Sequence, residues 1–334
     1  MSDALATRYL GLDLRSPVVP SASPLGADLD MLRRLEEAGA GAVVLPSLFE
    51  EQIEHEQLAV HWALDVGRAS SAESLDYFPE LDDYNTGPEH YLEHVTNAAD
   101  ALRIPVIASL NGSTPGGWIR YARLLQDAGA DALELNVYSV EADPASTAEQ
   151  AERRILEVVR AVRSEVTIPL AVKIGPFFTA LAHTAVRLVA AGADGLVLFN
   201  RFLQPDIDLE TMSVVDRMAL SSREELRLPL RWVAILRGRV PISLALTSGV
   251  HEAEDVVKAL LAGADVAMTA SALIRHGPEK VAELLAGVER WVEEHEYASV
   301  GQLRGSMSQE SCPDPAAFER GHYMRTITTF VAGS

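Results

Sequence analysis

Lys173 interrupts an apolar run, Leu170-Ala171-Val172-Lys173-Ile174. A charged amine among aliphatic side chains is costly unless it meets an anion or a paired acid, or works as a desolvated amine that condenses with a carbonyl. Other apolar runs also close on small polar residues: Ser21-Ala22-Ser23, Ser47, Ser109-Leu110-Asn111-Gly112, Asn136, Asn200, Thr247-Ser248-Gly249 and Thr269-Ala270-Ser271. Singly, such residues are ordinary in turns and helix caps. Metal chemistry is not expected. The nine histidines lack zinc-ligand spacing, and His90 and His94, four apart, have neither the neighbouring glutamate nor a third ligand; both read as surface residues. The run Glu50, Glu51, Glu54 and Glu56 reads as a solvated face.

The elements that must position these residues are announced by two alternating signals. A proline precedes an apolar run at Pro17, Pro105, Pro169 and Pro241, where a strand's first residue loses no ladder bond. Ala-Gly-Ala ends a helix and leads into another run at Gly39, Gly129, Gly192 and Gly263, where glycine supplies the left-handed conformation of a helix C-terminus. Taken by position, the signals alternate four times. Amphipathic stretches lie between them at Leu29–Ala38, Trp118–Ala128, Ala148–Ser164, Thr184–Ala191, Ala253–Ala262 and Lys280–Glu293.

Eight strand-helix units without a break in the repeat predict an α/β fold, a closed (β/α)8 TIM barrel rather than an open doubly wound sheet. The barrel is expected over 1–305, with a C-terminal tail at 306–334 that carries Cys312 away from any chemistry. The segment 50–88, after the second strand, is long, polar and acidic; it reads as an insertion that is either a lid or a small subdomain. In such a barrel the polar run ends converge on one rim, and the loops after strands seven and eight make a phosphate cradle.

The remaining bounds come from composition. The 334 residues carry 28 Lys+Arg against 48 Asp+Glu, a formal charge of −20 that excludes nucleic acid and anionic lipid surfaces as expected partners. A single cysteine forms no intrachain disulfide, which fits a reducing cytoplasm. No apolar run approaches membrane-spanning length.

In order and spacing these residues resemble the dihydroorotate dehydrogenase family. The likeness begins at Tyr9-Leu10-Gly11-Leu12-Asp13-Leu14-Arg15-Ser16-Pro17 and Ala22-Ser23-Pro24. It runs through Glu134-Leu135-Asn136, Val172-Lys173-Ile174, Phe199-Asn200, Ser248-Gly249-Val250 and Ala262-Gly263-Ala264, and ends with Ala272 to Pro278 and Tyr297 to Gly305. It implies an FMN cofactor held by Ala22, Ser23, Ser47, Asn111, Asn136, Lys173, Asn200, Ser248, Gly249, Ala270 and Ser271. Lys173 would favour the anionic reduced flavin. Gly249, Ala270 and Ser271 would offer backbone N–H groups to the phosphate, and Asn136, Glu141 and Asn200 would face the substrate.

The departures are specific. Where the family has Asn-x-Ser-Cys/Ser-Pro-Asn, this chain reads Asn136-Val137-Tyr138-Ser139-Val140-Glu141, which leaves Ser139 as the candidate base and a carboxylate in place of an asparagine. Pro46 stands where the family has a lysine.

The resemblance therefore implies an FMN-dependent dehydrogenase acting on a CH–CH bond, in the manner of pyrimidine biosynthesis, with dihydroorotate or a related small dihydro compound as substrate. It also implies a homodimer and an electron-transfer partner protein. Two alternatives stay open: a non-redox barrel enzyme using Lys173 as a Schiff base, and an FMN-binding subunit without dihydroorotate turnover.

Overall fold

The computed structural model describes residues 3–53, 87–202, 204–215 and 219–319. Eight strands form one parallel sheet: β3 (Val18–Pro20), β4 (Val43–Phe49), β5 (Val106–Asn111), β6 (Ala132–Asn136), β7 (Leu170–Ile174), β8 (Gly195–Leu198), β11 (Ser243–Thr247) and β12 (Val266–Thr269). Their order is β3-β12-β11-β8-β7-β6-β5-β4. All eight are the expected strands. The seam between β3 and β4 is closed by the Gly41 N–H, which donates to the Val18 carbonyl at 2.9 Å. A Cβ at Gly41 would lie 2.1 Å from the Ser16 carbonyl oxygen, so only glycine fits that close approach. The result is a nearly closed (β/α)8 barrel.

The two-residue period of the strands separates two cores. Val18, Val43, Leu133, Leu135, Leu170, Val172, Leu196, Leu244 and Leu246 pack outward under the helices. Val19, Val44, Ile107, Ala132, Ala171, Val197, Ala245, Val266 and Met268 fill the barrel interior. A short antiparallel hairpin, β1 (Thr7–Tyr9) and β2 (Leu12–Leu14), contributes Tyr9, Leu10 and Leu14 to that interior. It was not legible from periodicity, because three-residue strands show none. A second small hairpin, β9 (Asp206–Asp208) with β10 (Ser213–Val215), follows β8.

The flanking helices include α1 (Leu29–Glu37), α2 (Pro88–Ala101), α3 (Arg120–Asp127), α4 (Ala148–Glu165), α5 (Leu181–Ala190), α6 (Arg227–Leu236) and α7 (Ala253–Ala262). Among the described residues no helix is long and apolar enough to cross a membrane. Most of the 50–88 insertion, residues 54–86, lies outside the described residues, as does 320–334 of the tail. The described start of the tail packs on the barrel helices: Met307 N–H donates to Leu261 and Gln309 N–H to Ala234, both at 2.9 Å. Cys312 is buried there, with Sγ 3.8 Å from the Gln309 carbonyl.

Two expectations are corrected. Glu50 does not belong to a solvated face: it is buried, and its carboxylate accepts from the backbone N–H and hydroxyl groups of Ser113 and Thr114 at 3.1–3.4 Å. This ties the end of β4 to the loop after β5. His94 is half-buried, with Nε2 2.7 Å from the Gly26 carbonyl, instead of lying free on the surface.

Candidate functional site

Continuing the inward period to the C-terminal ends of the strands brings polar groups to the top of the barrel: Ser21, Ser109, Asn111, Glu134, Asn136, Lys173 and Thr247. Register pairs Asn111 with Asn136 and Asn136 with Lys173. Lys173 is buried, and its ammonium donates to Glu134 Oε1 at 3.2 Å and to Ser21 Oγ at 3.4 Å. Glu134 was missed as a site residue in the sequence. The alternation that turns Lys173 inward on β7 also turns Glu134 inward on β6, and that signal was available.

Above Lys173 lies a cleft of about 160 Å³ lined by residues that include Ala22, Ser23, Ser248, Gly249, Ala270 and Ser271. Six of the expected cofactor residues and Lys173 therefore share one wall system. Ser248 and Gly249 have φ of 79° and 77°, two consecutive left-handed residues that turn the chain sharply after β11. Such a turn places small residues and their backbone N–H groups along the cleft, the kind of loop that can receive an anion.

Sequence reasoning also missed Ser221, Arg201 and Phe199, which line the same cleft. Ser221 N–H donates to Ser271 Oγ at 3.0 Å, while Gly249 N–H reaches Ser221 Oγ at 3.4 Å. Behind Ser221, its hydroxyl contacts His251 Nε2 at 3.2 Å. Burial, reinforced by the charge of Arg275, holds the His251 pKa below its ordinary value, against the opposing influence of Ser221, Asp255 and Glu252. Asp255, itself buried, accepts two bonds from Arg223 at 2.9 Å and receives the N–H groups of His251 and Glu252 at the start of α7. This network fixes the loop that carries Gly249.

Asn136 and Asn200 stand beside the cleft. Asn200 Nδ2 donates to the carbonyls of Val137 at 3.1 Å and Lys173 at 3.4 Å, which fixes the amide so that Oδ1 is the free end. Asn200 Oδ1, Asn136 Oδ1 and Glu134 Oε2 are buried with no hydrogen-bond partner among the described residues. Buried acceptors without donors are uncommon and suit a ligand that brings N–H groups. Ser47 is occupied otherwise, with Oγ 2.7 Å from Ser109 Oγ. The carbonyl of Pro46 accepts from the Tyr91 hydroxyl at 2.6 Å where the β4 register shifts.

Ser47, Asn111, Asn136 and Asn200 do not line this cleft, and Ser139 and Glu141 lie in a different place altogether. Ser139 is exposed and lines a separate groove of about 260 Å³ between the loop after β6, the start of α4 and Phe177, Phe178 and Phe202. Glu141 lines that groove as well, paired with Arg154 and accepting from Ser146 Oγ at 3.2 Å. Its hydrogen bond from Arg154 lowers its pKa. Glu141 thus serves to tie its loop to α4.

Comparison with known proteins bears on what fills the cleft. A sequence model of the family described as dihydroorotate dehydrogenase matches residues 82–292. The chain is 30% identical over 304 residues to the putative dihydroorotate dehydrogenase A (fumarate) of Aeropyrum pernix, covering 86% of this chain and 93% of that protein. It is 27% identical over 309 residues to the dihydroorotate dehydrogenase B (NAD(+)) catalytic subunit of Methanothermobacter thermautotrophicus, covering 90% and 97% of the two chains. To the protein of the same name from Methanosarcina acetivorans it is 27% identical over 300 residues, covering 88% and 93%.

Proposed function

Because this chain belongs to the dihydroorotate dehydrogenase family, we propose that it is an FMN-dependent oxidoreductase that removes a hydride from dihydroorotate or a related small dihydro compound. The observation that carries the reading is Lys173, buried at the end of β7 under a cleft that the Ser248-Gly249 turn also lines.

The residues suit the cofactor in two respects. A flavin ring edge offers both N–H donors and carbonyl acceptors, matching the unpartnered Asn136 and Asn200 oxygens and the donating ammonium of Lys173. The turn at 248–249, the loop at Ala270-Ser271 and the Ser221 and Ser271 hydroxyls suit a phosphate. The enclosed cleft is smaller than the roughly 300–1,000 Å³ of a typical ligand pocket, so it takes in only part of a cofactor of that size.

When bound, FMN supplies the hydride acceptor, and the protein orients it and tunes its charge. The Lys173 ammonium favours negative charge on the reduced ring. Removing a proton from the substrate beside hydride transfer needs a base, and Ser139 is the candidate by its place in the motif. Its exposure in the α4 groove favours a second reading, an FMN-binding subunit without dihydroorotate turnover. Imine formation at Lys173 is disfavoured, because Nζ is engaged as a donor to two acceptors. Since two of the relatives are named as catalytic subunits, an electron-accepting partner protein belongs to the same proposal.

Anaerobic titration of the FMN-loaded protein with dihydroorotate tests the choice. Bleaching of the flavin band, lost in Ser139→Ala, supports the dehydrogenase. A band that stays unbleached at saturating dihydroorotate rejects that substrate and favours the second reading.

A further inference from the structure

Glu134 is the least expected group in the barrel. It is 1% exposed, and Oε1 meets the Lys173 ammonium at 3.2 Å while Oε2 is buried without a hydrogen-bond partner among the described residues. Below it, Tyr9 Oη is likewise buried with no hydrogen-bond partner among the described residues. Burial first, then the charges of Glu134 and Asp265, pushes the Tyr9 phenol well above its ordinary pKa. The surroundings are the small aliphatic side chains of the barrel interior, Ala132, Ala171 and Val197 among them.

Such a pair is a poor device for stability. Desolvating two charges offsets most of their attraction, and apolar residues of similar volume usually hold a core as well or better. The half-satisfied carboxylate makes the arrangement costlier still. Its place explains it better, since Lys173 lines the cleft directly and Glu134 touches Lys173 from the barrel side.

We infer that Glu134 is a positioning residue that fixes the Lys173 ammonium beneath the cleft and offsets its charge. The bound flavin is thereby harder to reduce than Lys173 alone would make it. This rests on the flavin reading above. Two-electron reduction to the anionic form adds a negative charge to the ring. A cation below stabilises that charge, and a carboxylate behind the cation opposes it.

The test is the midpoint potential of protein-bound FMN, measured by equilibration with a dye of known potential, in the unmodified chain and in Glu134→Gln and Glu134→Asp. Glutamine keeps the size and removes the charge. The ratio of reduced to oxidised flavin at a fixed potential is expected to rise about tenfold, a shift of about 30 mV for two electrons. Aspartate draws the carboxylate back by one methylene and is expected to shift the potential in the same direction by less. If the glutamine variant does not fold, the aspartate variant carries the test.

In the fraction of Lys173→Met that retains FMN, the potential is expected to move the opposite way. A purely structural Glu134 would lower stability or FMN affinity in both redox states alike, leaving the potential in place. An unchanged or lowered potential in the folded Glu134 variants overturns the inference and leaves the flavin reading intact. Failure of the unmodified chain to take up FMN overturns both.

Discussion

Substituting Gly249 with alanine should damage both the fold and the cleft, and the structure gives the size of the effect. At φ of 77° a residue with a Cβ carries about 1–2 kcal/mol of backbone strain. The added Cβ would lie 2.3 Å from the Leu226 backbone nitrogen, 2.8 Å from its Cα and 2.9 Å from its Cβ. Leu226 is 3% exposed and leads directly into α6, so it cannot swing aside. Overpacking of this kind costs about 1–3 kcal/mol. The stiffer unfolded chain returns about 0.4–1 kcal/mol. The net expectation is about 2–4 kcal/mol, a large part of the roughly 5–15 kcal/mol that holds a typical domain.

Urea unfolding measures the loss as a lower midpoint with an unchanged slope. Displacing the 248–249 turn should also weaken FMN binding at least about tenfold, or about 1.4 kcal/mol. Gly301→Ala serves as control: its Cβ would meet only Ser299 Oγ, at 3.6 Å, inside the short helix Val300–Leu303. It should be neutral or slightly stabilising. A Gly249→Ala midpoint equal to that of the unmodified chain would show that the turn tolerates a Cβ.

Other outcomes follow from the same network. Asp255→Asn should lower stability by about 2 kcal/mol, since it weakens charge-assisted bonds to Arg223 and the cap of α7; the half-exposed guanidinium of Arg223 limits the loss. A midpoint within about 0.5 kcal/mol of the unmodified chain would show the contact to be dispensable. Because the His251 pKa is depressed in the folded state, the unfolded chain binds more protons as pH falls through the ordinary value of 6.5, so stability should drop below that pH. His251→Gln should remove this component from a stability profile between roughly pH 5 and 7; an identical profile in the variant would contradict it. Glu141→Gln should leave FMN affinity unchanged, because Glu141 is paired with Arg154 outside the cleft; a large loss on equilibrium titration would place Glu141 at the cofactor.

Much of the barrel was legible because its punctuation is chemical. Glycine after four helices is called for by the positive φ there, and proline before Val18, Val106, Leu170 and Ile242 is tolerated where a strand starts, so both mark element ends in the sequence. Elements without such requirements were hidden. The hairpin of β1 and β2 turns on Leu10 and Gly11, both at positive φ, and a leucine there gives no warning. The cleft was legible where its residues close a strand, as Lys173 and Ser248-Gly249 do. Ser221 was not, because it arrives from a loop 28 residues before Gly249 and only tertiary packing brings its hydroxyl to that turn. Ser139 shows the reverse: its motif position pointed to the site, while the loop carries its side chain to the α4 groove. Glu134 could have been read, given that strands β6 and β7 pair Glu134 with Ala171 and both it and Lys173 follow the inward period.

FMN binding over Lys173 is the step on which the proposed function rests. The most direct measurement is the visible spectrum of the protein incubated with FMN and freed of excess, followed by release of the cofactor on denaturation. Bands at roughly 370 and 450 nm, stoichiometric release, and loss of most of the bound flavin in Lys173→Met are expected. Colourless protein that does not retain added FMN would contradict it.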